Sequence, residues 1–132
     1  MRQSRRFLFI LLPLFLLLLG FRQAPLVDPP PIDVPDGMSL EKVAKAIEIS
    51  LIRRGWEASN KTAQGLDATL HLREHTATIH VAWDARAIRI NYVSSTNLKY
   101  EQSSRGREIH KNYLGWIQNL VTDIRANLVL LR

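Results

Sequence analysis

The sequence predicts an α+β fold, a two-layer sandwich in the order helix, four-stranded antiparallel meander, helix, preceded by an apolar N-terminal export segment. Three observations lead there. Apolar residues recur at helical spacing before Gly55 and again after Ile109, whereas between Trp56 and Tyr92 they alternate with polar residues. The alternating segments share one apolar face, and two amphipathic helices are available to cover it. A length of 132 residues suits one domain with a single core.

The first six residues include Arg2, Arg5 and Arg6, and Phe7 to Phe21 is a run of 15 residues interrupted only by Pro13 and Gly20. A basic stretch ahead of a short apolar run is the pattern of a secretory signal. A cut needs small residues at two positions, and Leu18 with Gly20, or Arg22 with Ala24, supplies only one of them. Residues 1–24 are therefore expected to be either a signal peptide or a retained anchor. As a helix the run spans about 22 Å, short of a hydrocarbon layer of about 30 Å, so an anchor requires local thinning and a snorkelling Arg22. In both cases the arginines stay on the cytoplasmic side and the remainder crosses, to the periplasm or the periplasmic face of the inner membrane.

Residues 25–38 contain Pro25, Pro29, Pro30, Pro31 and Pro35 and are expected to form a semi-rigid linker outside the core. The sandwich domain is then expected over residues 39–132. Ser39 is placed as an N-cap, with Met38 and Val43 as a hydrophobic staple. Leu40, Val43, Ala44, Ile47 and Leu51 form the buried stripe of the first helix, and Gly55 ends it.

The meander follows from the alternation of Trp56 and Ala58, Leu66 to Leu72, Ala77 to Trp83 and Ile88 to Tyr92, with turn signals between them. Pairing Leu72 with Ala77 and Trp83 with Ile88 puts the apolar side chains on one face. The opposite face carries His71 and His80, which in this register lie diagonally on neighbouring strands, within reach of a shared metal ion or small ligand. Histidine and threonine are also ordinary residues on a half-exposed sheet face.

After Tyr92 the alternation stops, and a polar loop is expected from Glu101 to Gly106. A final helix is expected from about Ile109 to Leu131, its stripe formed by Ile109, Tyr113, Trp116, Leu120, Ile124 and Leu128. The stretch from Tyr92 to Trp116 holds the residues hardest to replace. Ser95, Asn97, Tyr100, His110, Tyr113 and Trp116 are the candidate binding surface, because Tyr and Trp combine large contact area with a polar end. The competing reading makes them locks for the loop and helix.

The pattern Ile88-x-Ile90-x-Tyr92, Ser95-x-Asn97-Leu98-x-Tyr100 and Gly106-Arg107-x-Ile109-His110-x-x-Tyr113-x-x-Trp116 resembles a family of small uncharacterised exported proteins and lipoproteins of Gram-negative bacteria. Arg54-Gly55-Trp56 at the end of the first helix is similar as well. The resemblance implies the fold and the compartment, and no activity. Two departures stand out. The lipobox cysteine of such lipoproteins is missing, which removes lipid anchoring, and Leu114 occupies a position where the family tends to have asparagine.

The net charge of +6 does not make a nucleic-acid partner. Four of the 18 Lys and Arg precede Ala24 and none of the 12 acids does, leaving 14 against 12, or +2, for the rest. Without cysteine there are no disulfides or thiolate sites. A hydrolase would need Ser94 or Ser95 with His110 and Asp84 or Glu108, but the sequence has no nucleophile elbow, phosphate loop or zinc-protease helix. The expectation is a non-enzymatic binding or structural module without a cofactor. Its partner is expected to be another envelope protein or a cell-wall component, with the membrane as a further contact if the N-terminal segment is uncleaved.

Overall fold

The computed structural model describes residues 22–132, so the expected export segment lies, up to Phe21, outside the described residues. Among those described, no helix is long and apolar enough to cross a membrane. Over the described residues the protein is α+β, with two helices and two antiparallel sheets of five and three strands.

Helix α1 (Leu40–Arg53) starts at Ser39, whose extended backbone lets Oγ accept the Lys42 N–H at 3.2 Å. It buries Val43, Ala46, Ile47, Ser50 and Leu51, whereas Leu40 stays exposed at the edge of the stripe. Gly55 ends the turn at φ +82°, the left-handed region that a Cβ disfavours.

Strands β3 (Trp56–Ser59), β4 (Gly65–Leu72), β5 (His75–Trp83) and β6 (Ala87–Thr96) pair in sequence order. Trp83 faces Ile88, as the alternation predicts. The β4–β5 hairpin is tighter than expected. It turns on Arg73 and Glu74, with Arg73 at φ +57°, so Leu72 faces His75 and Leu70 faces Ala77. A slip of two residues keeps every side chain on its expected face. Further along, β6 carries a bulge. Thr78 pairs with Ser94 but Ile79 with Tyr92, leaving Val93 as the extra, exposed residue.

Three corrections concern the rest of the chain. Residues 25–38 are not a spacer outside the core but a strap across it. Its two short strands are β1 (Gln23–Pro25) and β2 (Ile32–Asp33), and β2 is a fifth strand beside β6. Leu26, Ile32, Val34 and Met38 are buried, and the N–H groups of Leu26 and Val34 donate to the carbonyls of Arg107 and Arg86 at 2.8 and 2.9 Å. The prolines permit this because an extended backbone suits their φ and edge strands tolerate the missing donor. The stretch expected as a polar loop is a hairpin of β7 (Glu101–Ser103) and β8 (Gly106–His110), with β1 on the other side of β8. Gly106, at φ +111°, makes that hairpin possible. Consequently Ile109 belongs to a strand, and helix α2 (Lys111–Leu131) begins two residues later than expected.

The apolar faces of α1, α2, the strap and the five-stranded sheet close on one core. The helices run antiparallel, joined by the Arg54–Asp123 ion pair at 2.6 Å and by a buried contact in which Asn127 Nδ2 donates to Ser50 Oγ at 2.8 Å. Ser50 in turn donates to the Ala46 carbonyl at 2.8 Å.

Candidate functional site

The bulge at Val93 builds the site. Without it Tyr92 and Ser95, three residues apart, would point to opposite faces of β6; with it both point to the helix side. The Tyr92 hydroxyl and Ser95 Oγ are 2.7 Å apart, and Ser95 faces the small Ala77 across the strand pair. The Tyr92 ring stacks on Tyr100 at 4.8 Å between centroids and 19° between planes. It also meets Tyr113 edge-on, at 5.6 Å and 88°. Tyr113, from the first turn of α2, is buried, and that burial, with the Asp28 carboxylate and Tyr92 nearby, pushes its phenol well above the ordinary value. It therefore stays protonated.

Asp28 of the strap ties this cluster to the N-terminal segment. Its Oδ1 accepts the Tyr92 N–H at 2.9 Å, its Oδ2 accepts Asn91 Nδ2 at 3.3 Å, and Arg107 approaches the same oxygen at 3.7 Å. Beside it lies a cleft of about 260 Å³, walled by Val27, Pro29 and Pro30 on one side and Leu114, Ile117 and Gln118 on the other, with Asp28 and Tyr113 also lining it. It is mainly apolar, with one carboxylate at its wall, and suits a single side chain better than a cofactor.

Of the six residues predicted as a binding surface, Ser95, Tyr100 and Tyr113 come together here. Asn97 and His110 lie at the neighbouring end of the fold. Asn97, at φ +59°, uses its carbonyl to accept from His75 Nδ1 at 2.6 Å. His110 caps α2, its Nδ1 accepting the Asn112 N–H at 3.1 Å, so the imidazole is the neutral Nε2–H tautomer. Burial first, then the charges of Lys99, His75, Arg22 and Lys111, push His110 below the ordinary imidazole value. Trp116 is elsewhere, half-buried in a second hollow of about 190 Å³ with Trp56, Leu70 and Leu72.

The structure does not bring His71 and His80 together. His71 faces Thr76 and His80 faces Asp67. That leaves them four positions apart along the strand pair, about 13 Å at strand rise. The tighter hairpin turn is the cause. His80 Nδ1 instead contacts Asp67 Oδ1 at 2.8 Å, and hydrogen bonds from Asn60 and His80 hold the Asp67 carboxyl below its usual range. Among the described residues no three His, Cys, Asp or Glu side chains are placed to hold a metal ion. Ser95, His110 and Asp84 are likewise not hydrogen-bonded to one another. Ser95 is engaged by Tyr92, His110 by its capping bond, and Asp84 by the backbone N–H groups of Arg86 and Ala87 at 2.8 and 2.9 Å.

Sequence reasoning gave no site role to Asp28, Arg107 or the prolines of the cleft wall. The signal was present as Ile32-Asp33-Val34, an alternation set among prolines, and as one acid flanked by Val27 and Pro29. Compared with protein-family models, curated proteins and solved structures, the chain has no match.

Proposed function

We propose that this chain is a small exported or inner-membrane-tethered envelope protein whose periplasmic domain is a non-enzymatic binding module. The observation that carries the binding reading is the cleft beside Asp28, whose walls are held by the stacked tyrosines and by the strap. A site prepared in this way loses little freedom when a partner's side chain enters it. The compartment is inferred from Arg2, Arg5 and Arg6 ahead of Phe7–Phe21, and from the resemblance to exported Gram-negative proteins. The partner is another envelope protein or a cell-wall component.

The test is in-cell cross-linking and pull-down of the C-terminally tagged full chain against two variants. Val27→Asp places a charge at an exposed residue of the cleft wall, 72% accessible, where the fold is indifferent to it. Tyr100→Ala removes the outer ring of the stack. A specific partner captured by the wild type and lost in Val27→Asp, at unchanged melting temperature, supports the module. Equal capture by Val27→Asp removes the cleft from the binding site. If Tyr100→Ala only melts earlier, the tyrosines are architecture.

A further inference from the structure

The strap has a consequence for how the domain sits. With residues 25–38 folded into the core, no spacer separates the domain from the apolar run. Arg22 follows Phe21 directly, and its carbonyl already accepts the Lys111 N–H at 2.9 Å. One residue spans about 3.5 Å, so a bilayer that holds Phe21 at its boundary brings this end of the domain to the headgroups.

That end is cationic. Gln23 pairs with His110, its side chain donates to the Lys99 carbonyl at 3.3 Å, and the His110 N–H donates to the Leu98 carbonyl at 2.8 Å. His75 joins through Asn97. Arg22, Lys99 and Lys111 are all exposed, and among the described residues none of them is ion-paired. Along the chain the nearest acids are Glu101, two residues from Lys99, and Glu108, three from Lys111, which face each other in the β7–β8 hairpin; Glu74 stands next to His75. The helix beginning here has no acid in its first turn.

We propose that this end of the domain, presented by Arg22, Lys99 and Lys111 around the start of α2, rests flush on an anionic lipid surface. The proposal depends on the retained-anchor reading of Phe7–Phe21. Charges held within a Debye length of the surface, about 8 Å at physiological salt, attract anionic headgroups, and each contributes about fivefold to the contact.

Hydrogen exchange of the full chain in vesicles tests it. One set is phosphatidylcholine alone and the other contains about one third phosphatidylglycerol, enough for a strong surface charge. Amides of residues 97–100 and 110–113 are expected to exchange about tenfold more slowly only in the anionic vesicles, an effect lost in about 0.5 M salt. The double variant Lys99→Asn and Lys111→Gln is expected to abolish it; asparagine suits the positive φ of +54° at position 99. Equal exchange in both lipids, or protection that survives the double variant, overturns the proposal, and a protein-only cross-link at position 99 counts against it in the same way. Carbonate extraction of the cell membranes separates the two readings. Extraction-resistant protein with no lipid dependence leaves the anchor standing and removes the headgroup contact. If the chain is released instead, the anchor reading has failed, and flotation of the released protein decides the patch: recovery only with anionic vesicles supports it, and no recovery overturns it.

Discussion

The meander and the strap are both made of short extended strands that bury alternate side chains, yet they are held together differently. In the meander each strand pairs with the next, across turns of a few residues. In the strap Gln23 pairs with His110 and Ile32 with Ile88, partners more than fifty positions away. Alternation announces a strand in the first case because the partner is adjacent. In the second the same alternation is interrupted by prolines and has no neighbour to confirm it. The comparison teaches that burial and legibility are separate properties, since Ile32 is as buried as Ile79.

The largest effects probe that equality. Ile79→Ala in β5 and Ile32→Ala in the strap are each expected to lower unfolding stability by about 2–4 kcal/mol, read from urea denaturation. A spacer residue would change it by less than about 0.5 kcal/mol, so a silent Ile32→Ala would break the comparison. Next comes the contact that joins the helices. Ser50→Ala leaves Asn127 Nδ2 without its acceptor in a buried site and should cost about 1–3 kcal/mol. Adding Asn127→Leu should recover part of it, and the double-mutant cycle measures the coupling.

Smaller effects come from two of the glycines at positive φ, Gly55 ahead of the meander and Gly106 in the hairpin that receives the strap. At Gly55 a Cβ would sit 3.8 Å from Leu70 Cδ1, an ordinary contact, and at Gly106 it would meet nothing within 4 Å. Gly55→Ala and Gly106→Ala should therefore each cost about 1 kcal/mol, from the backbone alone. Gly106→Ala should also lower the pull-down of the partner only if the hairpin shapes the cleft through Arg107.

The smallest effect is a pH dependence at the junction of the two regions. His110 is held below the ordinary imidazole value in the folded protein, so its contribution is fully present above the unfolded pKa of about 6.5 and is lost as pH falls through the lower folded value. Protonation also takes away the lone pair that accepts the Asn112 N–H. Wild-type melting temperature should decline from about pH 7 toward pH 5, and His110→Asn, which keeps a capping side chain without titrating, should decline less. An identical profile would remove His110 from the account.

Much of the sandwich was legible. Ser39, Gly55 and the stripe of α1 are local signals, and the apolar face of the meander follows from alternation even though the β4–β5 turn was misplaced by two residues. A slip of that size preserves the faces but not the distances. For that reason the buried face of the meander was read correctly, apart from the exposed Leu72, while the pairing of His71 with His80 was not. The candidate site was legible only in part. Ser95, Tyr100 and Tyr113 were named, but their meeting depends on the bulge at Val93, and a bulge leaves no mark in a polar stretch such as Ser94-Ser95-Thr96. Asp28 escaped notice because its partners, the Tyr92 N–H and Arg107, lie in another part of the chain. Asn127 also went unremarked, because its acceptor, Ser50, lies on the other helix.

The distance between the strap and its partners also sets an order in time. A chain made from its N-terminus releases residues 23–38 first, whereas Arg107, Ile109 and His110, which receive β1, come almost last. The core therefore cannot be closed until nearly the whole chain is available. Until then Leu26, Ile32 and Val34 remain without their final neighbours, and the chain stays open through most of its synthesis.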